Sequence, residues 1–162
     1  MNSIIFKNLL NKDEIDSLVD DYTKSYTKVG KGYFGLENLL NLSSTKKYHI
    51  KFKKIIEDVV GENVDLVCTY MRKYNKGDIL EKHIDRTELH HTLSIQLKKS
   101  DDIPNPLIIH HDNGDEEIHL QDGDGGLIYE SNKIPHSRPA LKSEYMYCLF
   151  LHYVPTSTKK II

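Results

Sequence analysis

The sequence predicts a mainly β fold with N-terminal helices, of the α+β class, arranged as a two-sheet jelly roll with the helices packed on one sheet. Three observations carry this. Residues 1–62 hold two amphipathic helical patterns. Residues 63–155 hold six short β-rich runs separated by turn signals, with no helical pattern of about 10–15 residues between them to build βαβ units. The last run is apolar on both of its faces, as a strand lying between a barrel interior and a covering layer would be. With 162 residues, the chain is expected to form one domain: a helical buttress over 1–62, a β core over 63–155 and a tail over 156–162.

The helices follow from periodicity. Asn11 can cap a helix running from Lys12 to Tyr22, with Asp13 and Glu14 in its first turn. Ile15, Leu18, Val19 and Tyr22 recur at i, i+3, i+4 and i+7 and make one apolar stripe. A second helix spans about Ser44 to Val60, with Tyr48, Phe52, Ile55, Ile56, Val59 and Val60 on its apolar face and Gly61 as the stop. Between them, Val29-Gly30-Lys31-Gly32-Tyr33-Phe34-Gly35 reads as a surface loop, with a mobile lid as the alternative.

The strands are expected at Val64–Tyr74, Thr92–Leu97, Pro106–His110, Glu116–Gln121, Gly126–Glu130 and Tyr145–Val154. In the last of these, Tyr145, Tyr147, Leu149, Leu151 and Tyr153 point one way and Met146, Cys148, Phe150, His152 and Val154 the other.

Composition excludes several classes. The 22 basic and 24 acidic residues leave a net charge of −2, which argues against nucleic acid as the partner. No apolar run approaches the roughly 20 residues of a membrane span, and no signal peptide is visible at Met1-Asn2-Ser3-Ile4-Ile5-Phe6-Lys7. Cys68 and Cys148 both fall in apolar strand patterns and read as buried free thiols, which fits a reducing cytoplasm. Oligomeric state leaves no sequence signal.

The residues that carry chemistry are His83-Ile84-Asp85 and, about fifty residues later, His136 within Ile134-Pro135-His136-Ser137-Arg138. Two imidazoles and one carboxylate occupy half an octahedron and leave the other half for reactants, the arrangement of non-haem Fe(II) oxygenases. Thiolates would instead favour zinc or iron–sulfur clusters. A His-x-Asp triplet is expected about 0.8 times by chance in a chain with this many His and Asp, so context must decide. His110-His111-Asp112 is a second such triplet, but it runs into Asn113-Gly114, a hairpin signal that puts Asp112 at a solvated tip. His83 instead follows a strand pattern and a turn, and residues i and i+2 of an extended chain share a face.

Taken in order, Arg72-Lys73-Tyr74-Asn75-Lys76-Gly77-Asp78, His83-x-Asp85, Gly123-Asp124-Gly125-Gly126-Leu127-Ile128-Tyr129, Ile134-Pro135-His136-Ser137-Arg138-Pro139 and Leu149-Phe150-Leu151-His152-Tyr153-Val154 resemble the Fe(II)/2-oxoglutarate-dependent oxygenases, and within them the prolyl-4-hydroxylase-like branch. The resemblance covers roughly residues 64–155. It implies a double-stranded β-helix, Fe(II) held by His83, Asp85 and His136, 2-oxoglutarate as co-substrate, O2 as oxidant and ascorbate as an accessory reductant. It further implies conversion of 2-oxoglutarate to succinate and carbon dioxide while a substrate C–H bond is hydroxylated. The presence of Asp85 argues against the related halogenases, in which a halide replaces the carboxylate.

The far carboxylate of 2-oxoglutarate calls for a cation, and Arg serves best through a bidentate pair. Here the chain departs from the family, which places Lys or Arg nine or ten residues after the second His; those positions hold Tyr145 and Met146. Arg138 and Lys142 remain as candidates, with Arg138 favoured because it lies two residues past His136. Tyr74 resembles the family tyrosine that bonds the same carboxylate, and Arg72 is a weaker candidate.

The other histidines read as structural. His90 and His91 open a strand, with one of them at the cavity mouth. His110, His111 and His119 belong on the sheet surface, and His152 packs against the helical layer. The mouth is expected from the segment 29–35, the stretch after Asp85 and the 101–106 loop, bringing Tyr33, Phe34, Arg86 and Glu88 near a small-molecule or peptidyl substrate. Two alternatives stay open: a cupin-like metalloprotein without 2-oxoglutarate chemistry, which needs a fourth His or Glu ligand, and a non-catalytic jelly-roll binding module.

Overall fold

The computed structural model describes residues 3–26 and 37–161. It is mainly β, with 42% strand against 25% helix. Strands β1 (Ser3–Phe6), β2 (Glu37–Leu40), β3 (Val64–Asn75), β4 (Leu80–His83), β5 (His91–Lys99), β6 (Leu107–His111), β7 (Gly114–Ile118), β8 (Gly125–Ile128), β9 (His136–Arg138) and β10 (Tyr145–Pro155) form two antiparallel sheets, with helices α1 (Lys12–Tyr26) and α2 (Lys46–Val60). The larger sheet has the order β1-β8-β5-β10-β3-β2 and the smaller β4-β9-β6-β7.

The helices begin and end for the local reasons the sequence suggests. Asn11 Oδ1 accepts the Glu14 N–H at 2.9 Å while Glu14 Oε1 accepts the Asn11 N–H at 3.1 Å, a reciprocal capping box. Helix α2 follows a short 3-10 turn (Ser43–Thr45) and ends at Gly61, whose φ of 76° is left-handed and cheap only for glycine. Ile15, Leu18 and Tyr22 of α1 and Tyr48, Phe52 and Ile56 of α2 pack with Met71, Leu93, Ile95, Leu149, Leu151 and Tyr153 of the larger sheet, forming the main core. No helix among the described residues is long and apolar enough to cross a membrane.

Two corrections concern the elements. The segment 1–62 is not only helical: β1 pairs with β8 from Ser3↔Ile128 to Phe6↔Gly125, and β2 pairs with β3 from Glu37↔Lys73 to Leu40↔Tyr70. Strands β4 and β9 are also absent from the sequence-predicted set. All four have three or four residues, too short for a period-2 pattern to declare itself. The Gly-rich segment 29–35, with Tyr33 and Phe34, lies outside the described residues.

Alternation in β10 divides the molecule. Leu149, Leu151 and Tyr153 enter the core beneath the helices, and Met146, Cys148 and Phe150 enter a second cluster with Cys68, Tyr70, Tyr74, Leu80, Leu89 and Leu141. Both cysteines are free and buried.

Gly123 ties the N-terminal strand to this frame. Its φ is 92°, its carbonyl accepts the N–H groups of Leu9 and Leu10, and a Cβ there would lie 2.5 Å from the Leu10 oxygen. Gly123→Ala is therefore expected to destabilise the fold by about 2–3 kcal/mol, read as a shifted denaturant midpoint at unchanged slope.

Candidate active site

Between the sheets lies a cavity of about 150 Å³, a volume of the order that admits a benzene-sized molecule. The larger sheet contributes Tyr70, Arg72, Thr92, Ser94, Phe150 and His152 to its lining; the smaller contributes Leu80, Leu107, His83 and His136. Arg86 and Leu89, from the stretch after Asp85, complete one side.

His83 and His136 are directly opposed across the β4–β9 pair, which sets their rings side by side, 4.4 Å apart between centroids. Asp85 follows two residues after His83, and its N–H donates to the Ser131 carbonyl at 2.9 Å, stitching the β4–β5 connection to the end of β8. The Nε2 atoms of both imidazoles lie 3.5 Å from the same carboxylate oxygen, Asp85 Oδ1. One ligand atom from each of the three residues falls within 4.8 Å of the others; among the described residues no other group of three or more His, Cys, Asp or Glu does so.

The tautomers are set locally. His83 Nδ1 lies 2.7 Å from the Glu81 carbonyl and His136 Nδ1 lies 2.9 Å from the Ile134 carbonyl. A carbonyl only accepts, so each Nδ1 carries the proton and each Nε2 turns its lone pair toward Asp85.

A buried network holds the carboxylate. Thr92 Oγ1 donates to Asp85 Oδ2 at 2.8 Å, leaving Oδ1 for the space between the imidazoles. With its one proton used there, Thr92 can only accept from His152 Nδ1, 2.8 Å away, so that nitrogen is the protonated one. Ser131 Oγ lies 2.9 Å from the same hydroxyl. Burial acts to raise the Asp85 carboxyl, but the adjoining His136 and His83 imidazoles outweigh it and hold the group well below the usual carboxylate range, so it is ionised.

His152 therefore faces the cavity and not the helical layer, a correction: the alternation of β10 was legible, but which face met the helices was not. The histidine that joins the helical layer to β10 is His49 of α2, whose Nε2 bonds the His152 carbonyl at 2.8 Å. His91 is likewise away from the cavity, 6.2 Å from the Tyr129 ring. His110, His111 and His119 pair with Asp115, Glu116 and Glu117 along or beside the β6–β7 hairpin. Asp112 sits exposed at its tip, apart from the triad.

Burial pushes the His152 imidazole down to about 4, with Asp85 pulling partly the other way, and burial lowers His49 and His91 too. These groups stay neutral in the fold while their unfolded counterparts take up a proton near pH 6.5, so the unfolded chain binds more protons and stability falls as pH drops. We expect the metal-free protein to lose about 3 kcal/mol between pH 6.5 and 4 from His152 alone, measured by urea unfolding at successive pH values.

Of the two cations left open by the sequence, Arg138 is buried and Lys142 is exposed. The Arg138 guanidinium donates to the Asn105 carbonyl at 3.0 Å and reaches Ser94 Oγ at 3.5 Å, and it lies 6.0 Å from the centre of the Tyr74 ring. Its Nε is buried with no hydrogen-bond partner. A guanidinium half-satisfied inside a protein fits an anion that completes it. The loop 101–106 contributes Asn105 to this cradle and does not line the cavity. Thr92, Ser131 and Ser94 left no sequence signal, because a hydroxyl in a strand is uninformative until its cross-strand neighbours are known. Arg72 had one: it shares a strand face with Tyr74.

No family model and no curated protein matches the sequence. Solved structures do match over nearly the whole chain. The viral collagen prolyl hydroxylase of Paramecium bursaria Chlorella virus-1, in complex with 2-oxoglutarate, superposes with a TM-score of 0.75 at 12% identity, covering 94% of this chain and 96% of that one. A Trichoplax adhaerens prolyl hydroxylase, in complex with a hypoxia-inducible-factor peptide fragment, gives 0.80 at 12% identity, covering 99% and 86%. The α-ketoglutarate-dependent epimerase SnoN of nogalamycin biosynthesis gives 0.76 at 10% identity, covering 95% and 78%. The chain thus has the fold of the prolyl hydroxylases and other 2OG-Fe(II) oxygenases.

Proposed function

We propose that this protein is an Fe(II)- and 2-oxoglutarate-dependent dioxygenase, a hydroxylase of a small molecule or a peptidyl residue, built as one double-stranded β-helix domain and working in the cytoplasm. The observation that carries the reading is the convergence of His83 Nε2 and His136 Nε2 on Asp85 Oδ1 at the cavity wall, with both Nδ1 atoms committed to main-chain carbonyls. His83, Asp85 and His136 would hold the metal, and this donor set of two neutral imidazoles and one carboxylate suits Fe(II). Iron and 2-oxoglutarate together supply the oxidising equivalent for hydroxylation, with succinate and carbon dioxide as by-products.

The chain's own groups orient the reactants. Thr92 occupies Asp85 Oδ2 and leaves Oδ1 as the oxygen that would hold the metal, and neutral His152 supports Thr92 without adding a positive charge there. Arg138, with Tyr74 beside it, takes the far carboxylate of 2-oxoglutarate. Leu80, Leu107, Ile128 and Phe150 line the cavity with apolar surface and keep water scarce where the C–H bond reacts. A cupin-like site is less favoured, because no fourth His or Glu joins the cluster among the described residues.

Purified protein given Fe(II), ascorbate and 2-oxoglutarate should release succinate slowly without added substrate. Lys142→Ala should leave that rate and the 2-oxoglutarate affinity within about twofold of wild type, since surface substitutions of this kind are nearly neutral. Iron binding without turnover of any 2-oxo acid would sink the proposal in favour of a binding module.

A further inference from the structure

The chemistry above uses one buried cation, Arg138, which reaches Ser94 of the cavity wall; a second, Arg72, lines the cavity itself. Arg72 and Arg138 are both buried, and among the described residues neither forms an ion pair. Arg72 lines the cavity from β3, with Tyr70 and Tyr74 on the same strand face. Its Nε donates to Asn38 Oδ1 on the edge strand β2, and its Nη1 donates to the Tyr74 hydroxyl at 3.2 Å. The guanidinium stands 5.0 Å from the centre of the Phe150 ring and 5.7 Å from that of Tyr74. These contacts aim the side chain, but all are to neutral groups. Its remaining terminal nitrogen, Nη2, has no hydrogen bond within the described chain.

Formal charge decides what this implies. Among the described residues Asp85 is the only acid lining the cavity. Arg86, the other lining cation, is exposed and paired with Glu88 at 3.2 Å, so it adds no net charge; a divalent metal, Asp85, Arg72 and Arg138 sum to three positive charges, and 2-oxoglutarate brings two negative ones. Without Arg72 the loaded site would be neutral; with it one positive charge is left over in a largely apolar enclosure, where an unpaired charge costs several kcal/mol. A mono-anion removes that cost. Arg138 is the more enclosed of the two, with its Nε buried and unsatisfied, whereas Arg72 lines the cavity directly.

We propose that Arg72 binds a carboxylate of the primary substrate, so that this protein acts on a small organic acid with an apolar body and not on a neutral residue within a peptide. The inference rests on the function proposed above. Tyr70, Leu89 and Phe150 would pack the apolar part, while Arg72 fixes which end faces the metal.

The test is a binding measurement on protein loaded with redox-inert Zn(II) and saturated with 2-oxoglutarate. Isobutyrate and isobutyramide, nearly equal in shape and different in charge, are titrated and followed by NMR. Wild type should bind the acid at least about tenfold more tightly than the amide, Arg72→Gln should erase that preference, and Arg72→Lys should keep part of it. The affinity for 2-oxoglutarate, measured by calorimetry, should change less than about threefold in Arg72→Gln. Should Arg72→Gln not fold, the retained preference of Arg72→Lys carries the test. Equal binding of acid and amide by wild type overturns the proposal, as does a loss of 2-oxoglutarate affinity in Arg72→Gln as large as in Arg138→Met. If wild type fails to bind 2-oxoglutarate yet binds isobutyrate through Arg72, the acid site stands and the dioxygenase reading falls.

Discussion

Replacing His83 by Ala should abolish succinate formation and weaken metal binding by about 10²–10³-fold. The magnitude follows from sharing the roughly 10–16 kcal/mol of a four-ligand structural zinc site among its ligands, about 3 kcal/mol each. Among the described residues His83 has no substitute nearby: the one lining histidine outside the triad, His152, presents Nδ1–H to Thr92 and belongs to the support of Asp85. The variant should fold, because His83 ends β4 with its side chain partly exposed and no apolar core depends on it. Equilibrium dialysis against Fe(II) and a thermal melt separate loss of metal from loss of structure. Wild-type-like metal affinity in a folded His83→Ala protein would rule out this triad as the metal site.

Arg138→Met should act in opposite directions on binding and on stability. Removing the buried guanidinium would take away the proposed charge-assisted partner of the 2-oxoglutarate carboxylate, a loss of about 2–5 kcal/mol, so the dissociation constant should rise by about 30-fold or more. Without ligand, the same change relieves a buried cation whose Nε has no partner, and replacing such a group by an apolar one of similar length is often stabilising by about 1–4 kcal/mol. A melting temperature that rises in the metal-free variant while 2-oxoglutarate affinity collapses would mark Arg138 as kept for binding. A fall in both would mean that the residue is structural, with its bonds to Asn105 and Ser94 outweighing its desolvation.

Much of this could be read from the sequence where a feature is long or local. Helix α1 announced itself by Asn11 and its apolar stripe, α2 by Gly61, and β3 and β10 by runs of ten or more β-rich residues. Strands β1, β2, β4 and β9 did not, since three or four residues cannot show a period and their pairing partners lie far away in sequence. The same boundary runs through the site. His83, Asp85 and His136 stood out through their setting, a strand pattern and turn before His83 and Pro135 before His136, since the His-x-Asp spacing alone is about what chance supplies. The orientation of His152 depended on which face of β10 meets the helices, a property of tertiary packing alone. Likewise, the contrast between Arg138 and Lys142 is one of burial, to which residue type is blind.

The carbonyls that orient His83 and His136 have a consequence for how this site tolerates change. Both belong to the residue two positions upstream, Glu81 and Ile134, and both are main-chain atoms. No side-chain replacement can delete an acceptor of that kind. The ring orientation is thus inherited with the path of the strand, and neighbouring positions are free to drift without disturbing it. Such robustness suits a chain that shares its fold with a viral prolyl hydroxylase at about one residue in eight.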